Sequence, residues 1–436
     1  MRSKSLFTLF SVLIVAAIAL AACAPAATPV PPTDTVAPAM PAATDTVAPA
    51  MLAATDTPAA AMPAATDTPA AAVPAANFDW SKATSVADGG GMDALVKAAQ
   101  AEGNLTVITL PRDWCDYGDM MDNFTAKYGI KIQDVNPDGG SADEVQAIKD
   151  NMTNKGPQAP DLLDIGPAYG PLAAGTSPTG PNLLAPYKVS TWDTIVGSKE
   201  ATGLYYVDYY GILAFEVNTD VVKDVPASWS DLLKPEYKGQ IGLAGDPRAS
   251  NEAAQTVYAA AVNNGGTLDN IQPGLDFFKK LNQEGNLLPL IADPGVIAKG
   301  ETPLSIHWNY LALADQKSDA GNPNIKVVYP TGTAWGGYYY QAISAYAPHP
   351  AAARLWEEYL YSDDGQNTLI KGFCTPARMA DMLSRNVVSA DAQAALPPAA
   401  MLAAATIPSP DQLNAARAAV KAQWDSVVGL NIVPSK

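Results

Sequence analysis

Five short stretches of the chain gather side chains suited to holding a cation: Arg112 to Tyr117, Gly166 to Tyr169, Asp246 to Ser250, Trp308 to Tyr310, and Trp335 to Tyr340. An aromatic face attracts positive charge through its quadrupole, and a carboxylate within reach adds charge-assisted hydrogen bonds to an ammonium or amidinium group. The chemistry implied is non-covalent capture of a small organic solute carrying a cationic nitrogen. The candidate contacts are Trp114, Asp116, Tyr117, Tyr169, Asp246, Arg248, Trp308, Asn309, Tyr310 and Tyr339. Several have a structural alternative. Trp114 and Trp308 can serve a lobe core, Asp246 before Pro247 can cap a turn, Arg248 can be an ion-pair partner, and His307 can be strand packing. A hydrolase built on Asp113 and Asp116 is the rival reading, but no nucleophile stands at a spacing that supplies its base.

These stretches are far apart in sequence, so the elements before them must bring them together. Apolar runs bounded by Gly and Pro predict strands at 105–110, 130–135, 162–165, 241–244, 303–307 and 325–329. Helical spacing predicts helices at 95–101, 116–127, 142–152, 251–262, 271–283, 351–371 and 411–428. Strand and helix alternate, which is the pattern of doubly wound, mostly parallel α/β sheets, and in such sheets ligands bind outside the strands' carboxyl ends. The Tyr-rich run 204–222 lacks helical period and reads as extended chain passing from one lobe to another, with 338–346 returning. The expected division is 78–205 with about 338–375 as the first lobe, and 206–337 with about 376–436 as the second.

The front of the chain is different in kind. Arg2 and Lys4 precede an apolar run that ends at Leu20-Ala21-Ala22-Cys23, the pattern of a signal peptide over 1–22. Residues 23–77 are almost entirely Ala, Pro, Thr, Asp, Val and Met, with Thr-Asp-Thr recurring from Thr33, Thr44, Thr55 and Thr66. Frequent proline prevents helix, so this reads as a disordered or extended tether. The formal charge of −17 argues against nucleic acid or an anionic surface as partner. No zinc-spaced Cys/His cluster, phosphate-binding glycine loop or G-x-S-x-G elbow occurs, so the reading calls for no metal, no cofactor and no enzyme activity. Beyond Cys23 only Cys115 and Cys374 remain, and a disulfide between them or two buried thiols are both open.

One run gives more. Ser228-Trp229-Ser230-Asp231-Leu232-Leu233-Lys234-Pro235-Glu236-Tyr237-Lys238-Gly239, with Val217-Asn218-Thr219-Asp220 upstream, resembles the "WxDLxxPxYKG" passage of solute-binding proteins of bacterial ABC importers, in the group of polyamine and ferric-iron binders. The resemblance implies a two-lobed periplasmic-binding-protein fold of type II, with a hinge and a central cleft. It also implies a permease in the membrane as partner, a monomeric protein, and, from the lipobox-like residues before Cys23, a lipid on that thiol that anchors the protein outside the cytoplasm. Trp114-Cys115-Asp116-Tyr117 is similar to the "WxEY" of polyamine binders, Asp246 stands at an acidic position, and Trp308-Asn309 matches a "WN". The chain departs where Ala249 and Tyr339 stand near two further acids of the pattern. It departs from the ferric-iron binders too, because Asn309-Tyr310 supplies one tyrosine where they have two. Ferric iron or an organophosphonate is the alternative ligand of the same fold.

Overall fold

The computed structural model describes residues 78–434 except residues 138, 176–180 and 320. The expected signal peptide, Cys23 and the Thr-Asp-Thr repeats lie outside the described residues. Eleven strands follow in order among those described: β1 (Asn104–Ile108), β2 (Lys131–Val135), β3 (Leu162–Ile165), β4 (Leu184–Ala185), β5 (Tyr206–Asn218), β6 (Ile241–Leu243), β7 (Leu287–Ile291), β8 (Leu304–Trp308), β9 (Ile325–Val328), β10 (Gly336–Ser344) and β11 (Thr375–Pro376).

β5 organises them. It is 13 residues long and almost wholly buried. From Tyr206 to Ile212 its antiparallel partner is β10, and from Leu213 to Val217 its partner is β8, with β9 beside Phe215 to Asn218 on the other edge. β10 pairs in turn with β3, Tyr340 lying opposite Ile165. A single strand, within the run expected to be extended, thus pairs first with β10 and then with β8. Away from this crossing the ladders are parallel, β1 with β2 and β6 with both β7 and β8. The fold is the two-lobed, type II arrangement, with mixed sheets because the crossing strands are antiparallel.

At the crossing, Gly211 lies opposite Gly337. A methyl group at Gly337 would sit 2.2 Å from the Trp308 ring, and one at Gly211 would sit 2.5 Å from the Tyr310 ring. Facing residues of an antiparallel pair put their side chains on one side of the sheet. The two glycines therefore open a flat bed on which these rings lie, 15° from parallel to each other.

The local signals in Ser228 to Gly239 act as their types require. Ser228 Oγ accepts from the Asp231 amide at 3.3 Å while Asp231 Oδ2 accepts from the Ser228 amide at 2.9 Å, a reciprocal cap for the short helix Trp229–Leu233. The expected helix 351–371 is two helices, Pro350–Leu360 and Asp363–Lys371. Ser362 caps the second through the Gly365 amide at 3.2 Å, and Arg378 Nη1 donates to the Tyr361 carbonyl at 2.6 Å, so the break is held from both sides. Strand β7, β4, β11 and the short helices Met379–Ser384, Ala390–Ala394 and Ala399–Ala404 go beyond the expected elements.

Cys115 and Cys374 are bonded to each other, with Cα atoms 5.5 Å apart. The bond ties the loop after β1 to the chain entering β11, 259 residues away, and closing so long a loop restricts the unfolded chain by roughly 3 kcal/mol or more.

Gly337→Ala is expected to destabilise the protein by about 1–3 kcal/mol through overpacking against Trp308. Urea unfolding followed by tryptophan fluorescence measures this, and an unchanged midpoint would contradict the packing.

Candidate functional site

The carboxyl ends of β1, β3 and β6 and the starts of two helices enclose a cleft of about 460 Å³ between the lobes. On the first lobe its wall includes Thr109 and Trp114 after β1, Gly139 to Ser141 with Glu144, Asp164 in β3, and Tyr169. On the second it includes Ala244 to Asp246 after β6, Ala249 to Glu252, and Ile291. Tyr339 on β10 reaches it from the crossing. Thr109 holds φ 54°, a conformation costly for a β-branched residue, and it does so where β1 turns into the cleft.

Two helices open on this space from opposite lobes. Helix Ser141–Asn151 starts at Gly140, whose amide is taken by Asp143 Oδ2 at 2.9 Å. Helix Asn251–Asn263 starts at Ser250, whose Oγ accepts from the Ala253 amide at 3.2 Å. The first amides of a helix have no partner within it, and the summed peptide dipoles place about half a positive charge there.

Carboxyl groups stand behind and between these helix ends. Glu144 is fully buried, and its Oε2 accepts from the Asp164 amide at 2.9 Å while Oε1 has no hydrogen-bond partner in the protein. Asp164 takes the Tyr209 hydroxyl on Oδ2 at 3.2 Å, and its Oδ1 also lacks a partner. Burial pushes the pKa of Glu144 and of Asp164 well above the carboxylate range, and for Asp164 the neighbouring Asp208 and Glu144 add to it. Deeper in the crossing, Asp208 accepts from Tyr117 Oη and Gln341 Nε2, each at 3.1 Å. Burial lifts Asp208 to about 7, the Gln341 and Tyr209 hydrogen bonds pulling the other way. Glu252, 6% exposed, takes the Trp308 amide on Oε1 at 2.7 Å.

Among the residues expected from sequence, Trp114, Tyr169, Asp246 and Tyr339 are in the cleft wall. Trp114 donates its indole N–H to Tyr209 Oη at 2.6 Å and meets the Tyr339 ring edge-on at 5.4 Å. Asp246 is held by Arg248, whose Nε lies 2.9 and 3.0 Å from its two oxygens. Arg248 also binds Asp425 and Asn431, each at 2.7 Å, which places it outside the wall as an ion-pair partner. Asp116 and Tyr117 likewise lie away from the wall. Asp116 is half-buried, with burial and Asp119 raising its pKa and Lys317 and Lys371 opposing. Tyr117 is fully buried on Asp208. Trp308 and Tyr310 lie on the glycine bed, and Asn309 fastens the crossing, accepting from the Ile212 amide at 2.7 Å and donating to the Phe373 carbonyl at 3.2 Å. The sequence reading did not name Glu144, Asp164, Tyr209, Asn251 or Glu252 as contacts. Their signals were present in part, since Asp164 lies in a predicted strand and Ser250-Asn251 opens a predicted helix.

The lobes also meet at the cleft mouth. Arg417, on helix Pro410–Val427 of the second lobe, stacks 4.5 Å over the Tyr169 ring and bonds its hydroxyl, and Asn414 Nδ2 donates to the Ala168 carbonyl at 3.3 Å. Opposite them a methyl at Gly166 would sit 3.0 Å from Asn251 Nδ2.

A family model for bacterial extracellular solute-binding proteins matches residues 180–405, just over half of the chain. The chain belongs to that family. Over 217 residues it is 29% identical to a periplasmic protein of Salmonella typhimurium named as a candidate 2-aminoethylphosphonate binder, covering 49% of this chain and 58% of that one. It therefore spans less than two thirds of that relative's length. Over 135 residues it is 33% identical to the spermidine/putrescine-binding periplasmic protein of Escherichia coli, covering 29% and 36% of the two chains. The solved structure of the periplasmic binding protein AfuA from Actinobacillus pleuropneumoniae, with fructose-6-phosphate bound, superposes with a TM-score of 0.59 over 75% of this chain and 99% of that one, at 22% identity. These relatives are substrate-binding proteins and not enzymes, and the family is one of extracytoplasmic proteins.

Because Arg417 joins the lobes, Arg417→Ala is expected to favour an open state. Small-angle scattering should show a larger radius of gyration than that of the unaltered protein, with affinity for any cleft ligand reduced roughly tenfold, as loss of a charge-assisted contact of about 1.5 kcal/mol requires. Equal radii would show that the contact does not hold the lobes.

Proposed function

We propose that this protein is the substrate-binding component of an ABC importer, closing its two lobes on a small organic solute with a cationic nitrogen and delivering it to a membrane permease. The observation that carries the reading is the pair Glu144 and Asp164, both buried in the cleft wall, each with one oxygen that no protein group satisfies. A buried carboxyl oxygen without a partner costs about 1–3 kcal/mol, and an ammonium group answers it while favouring the ionised form. Trp114 and Tyr339 add aromatic surface beside it. In this reading Cys23 carries a lipid, residues 23–77 tether the lobes to the membrane, and the protein works as a monomer.

The helix ends favour an anionic group on the same ligand. Two positive dipole ends facing one cleft suit a phosphonate or phosphate. The relative from Salmonella typhimurium, named for a ligand that carries both an amine and a phosphonate, supports a short zwitterion.

Titration calorimetry of the purified protein with putrescine, 2-aminoethylphosphonate, ethylphosphonate and ferric citrate tests this. Saturable binding of an amine, without turnover and with compaction in small-angle scattering, is expected. Binding of anions alone would overturn the cationic-nitrogen reading.

A further inference from the structure

Asp246, the acid at the position the resemblance implies, has both carboxylate oxygens engaged by Arg248. Ala249, where a second acid is missing, also lies on the wall, and Glu252 stands three residues further along the same wall, just inside helix Asn251–Asn263. Glu252 has an unusual support. Its Oε1 takes the Trp308 amide at 2.7 Å and lies 3.5 Å from His307 Nδ1. The other ring nitrogen, Nε2, lies 3.2 Å from the Ala292 carbonyl. Nε2 has the Ala292 carbonyl as its hydrogen-bond acceptor, while Nδ1 faces Glu252 at ion-pair distance without a hydrogen bond.

We propose that Glu252 is the second lobe's contact for the ligand's cationic nitrogen, and that His307 is the positioning residue that keeps Glu252 oriented. The assignment rests on the solute-binding reading above and names the residue that selects charge within it. Glu252 supplies the carboxylate that Ala249 lacks, from three residues further on and on the same wall. Its place in the first turn suits the helix dipole, and both contacts to Trp308 and His307 use Oε1, so Oε2 is the oxygen assigned to the ligand. The surrounding charges agree. Burial alone would lower the pKa of His307, but Glu252, Glu216 on β5 and Asp315 on helix Asn309–Asp319 outweigh it and raise it to about 9. Burial in turn lifts Glu216 to about 8 and Asp315 to about 6, with His307 lowering each. The imidazolium is therefore held below about pH 9 and lost as pH rises through that value.

The test compares 2-aminoethylphosphonate with ethylphosphonate, which lacks only the amine, on the full chain. In Glu252→Gln the affinity for 2-aminoethylphosphonate should fall roughly 10- to 100-fold, as loss of a charge-assisted hydrogen bond requires, while ethylphosphonate binds within about twofold of the unaltered protein. Glu252→Asp, which keeps the charge, should recover part of the loss. The chain has two histidines, His307 and His349, so NMR can follow each ring. His307 should titrate near 9 in the unaltered protein, and markedly lower in Glu252→Gln. Equal losses for both ligands, or a preference for the amine that survives in Glu252→Gln, would overturn the assignment alone. An unaltered protein that binds ethylphosphonate as tightly as 2-aminoethylphosphonate would overturn the cationic-nitrogen reading and this assignment with it.

Discussion

The change of partner in β5, from β10 at Ile212 to β8 at Leu213, is the constraint on which the molecule depends. One continuous strand has its amides committed to a different sheet on each side of that point. The lobes cannot drift apart without breaking ladder hydrogen bonds, yet only a few residues connect them, so they can rotate. The glycine pair Gly211 and Gly337 lies on the β10 side of the change, and Trp308 and Tyr310, which belong to β8 and its following helix, pack down on it. Aromatics from β8 and its helix thus rest on the backbone of β5 and β10. The disulfide between Cys115 and Cys374 and the Asn309 bonds to Ile212 and Phe373 fasten the same region covalently and polarly.

A rigid crossing beneath a movable cleft explains why buried carboxyl groups concentrate there. Asp208 has Tyr117 and Gln341 as donors, so its carboxyl belongs to the structure. Asp164 and Glu144 are different, because each has one oxygen satisfied and one buried without a hydrogen-bond partner in the protein. A half-satisfied polar group is costly in a core and useful in a binding site, where the missing partner arrives with the ligand. Tyr209 links the two sets. Its hydroxyl accepts from Trp114 and donates to Asp164, so the aromatic wall and the acidic wall are oriented by one group on the crossing strand.

The sequence was most legible where a residue type acts locally. The Ser228 and Asp231 cap, the stop at Gly129 and the strand 162–165 depend on neighbours within a few positions, and they appear as expected. Long-range geometry was harder to read. Trp308-Asn309-Tyr310 sits at a strand end, as a ligand loop should, but nothing in those three residues tells that glycines on two other strands will receive the rings. Nor does Arg248 disclose that Asp425, 177 residues later, will complete its ion pair. Helix interiors hid the rest. Glu144 and Glu252 look like ordinary solvated helix charges in sequence, and only the position of their helix ends at the cleft makes them buried wall residues.

That contrast bears on how a cleft of this kind acquires its selectivity. A carboxylate on a loop is mobile and open to capture by any nearby cation, which is the situation of Asp246 with Arg248. A carboxylate in the first turn of a long helix has its backbone fixed by the helix and its charge favoured by the dipole. Glu252 has in addition a strand amide and a histidine behind it, both from β8, so the element that carries the aromatic bed also holds the acid. Moving charge from loop to helix turn leaves the sequence pattern looking depleted at Ala249 while the cleft itself keeps a carboxylate, now in a place where its direction is set before any ligand arrives.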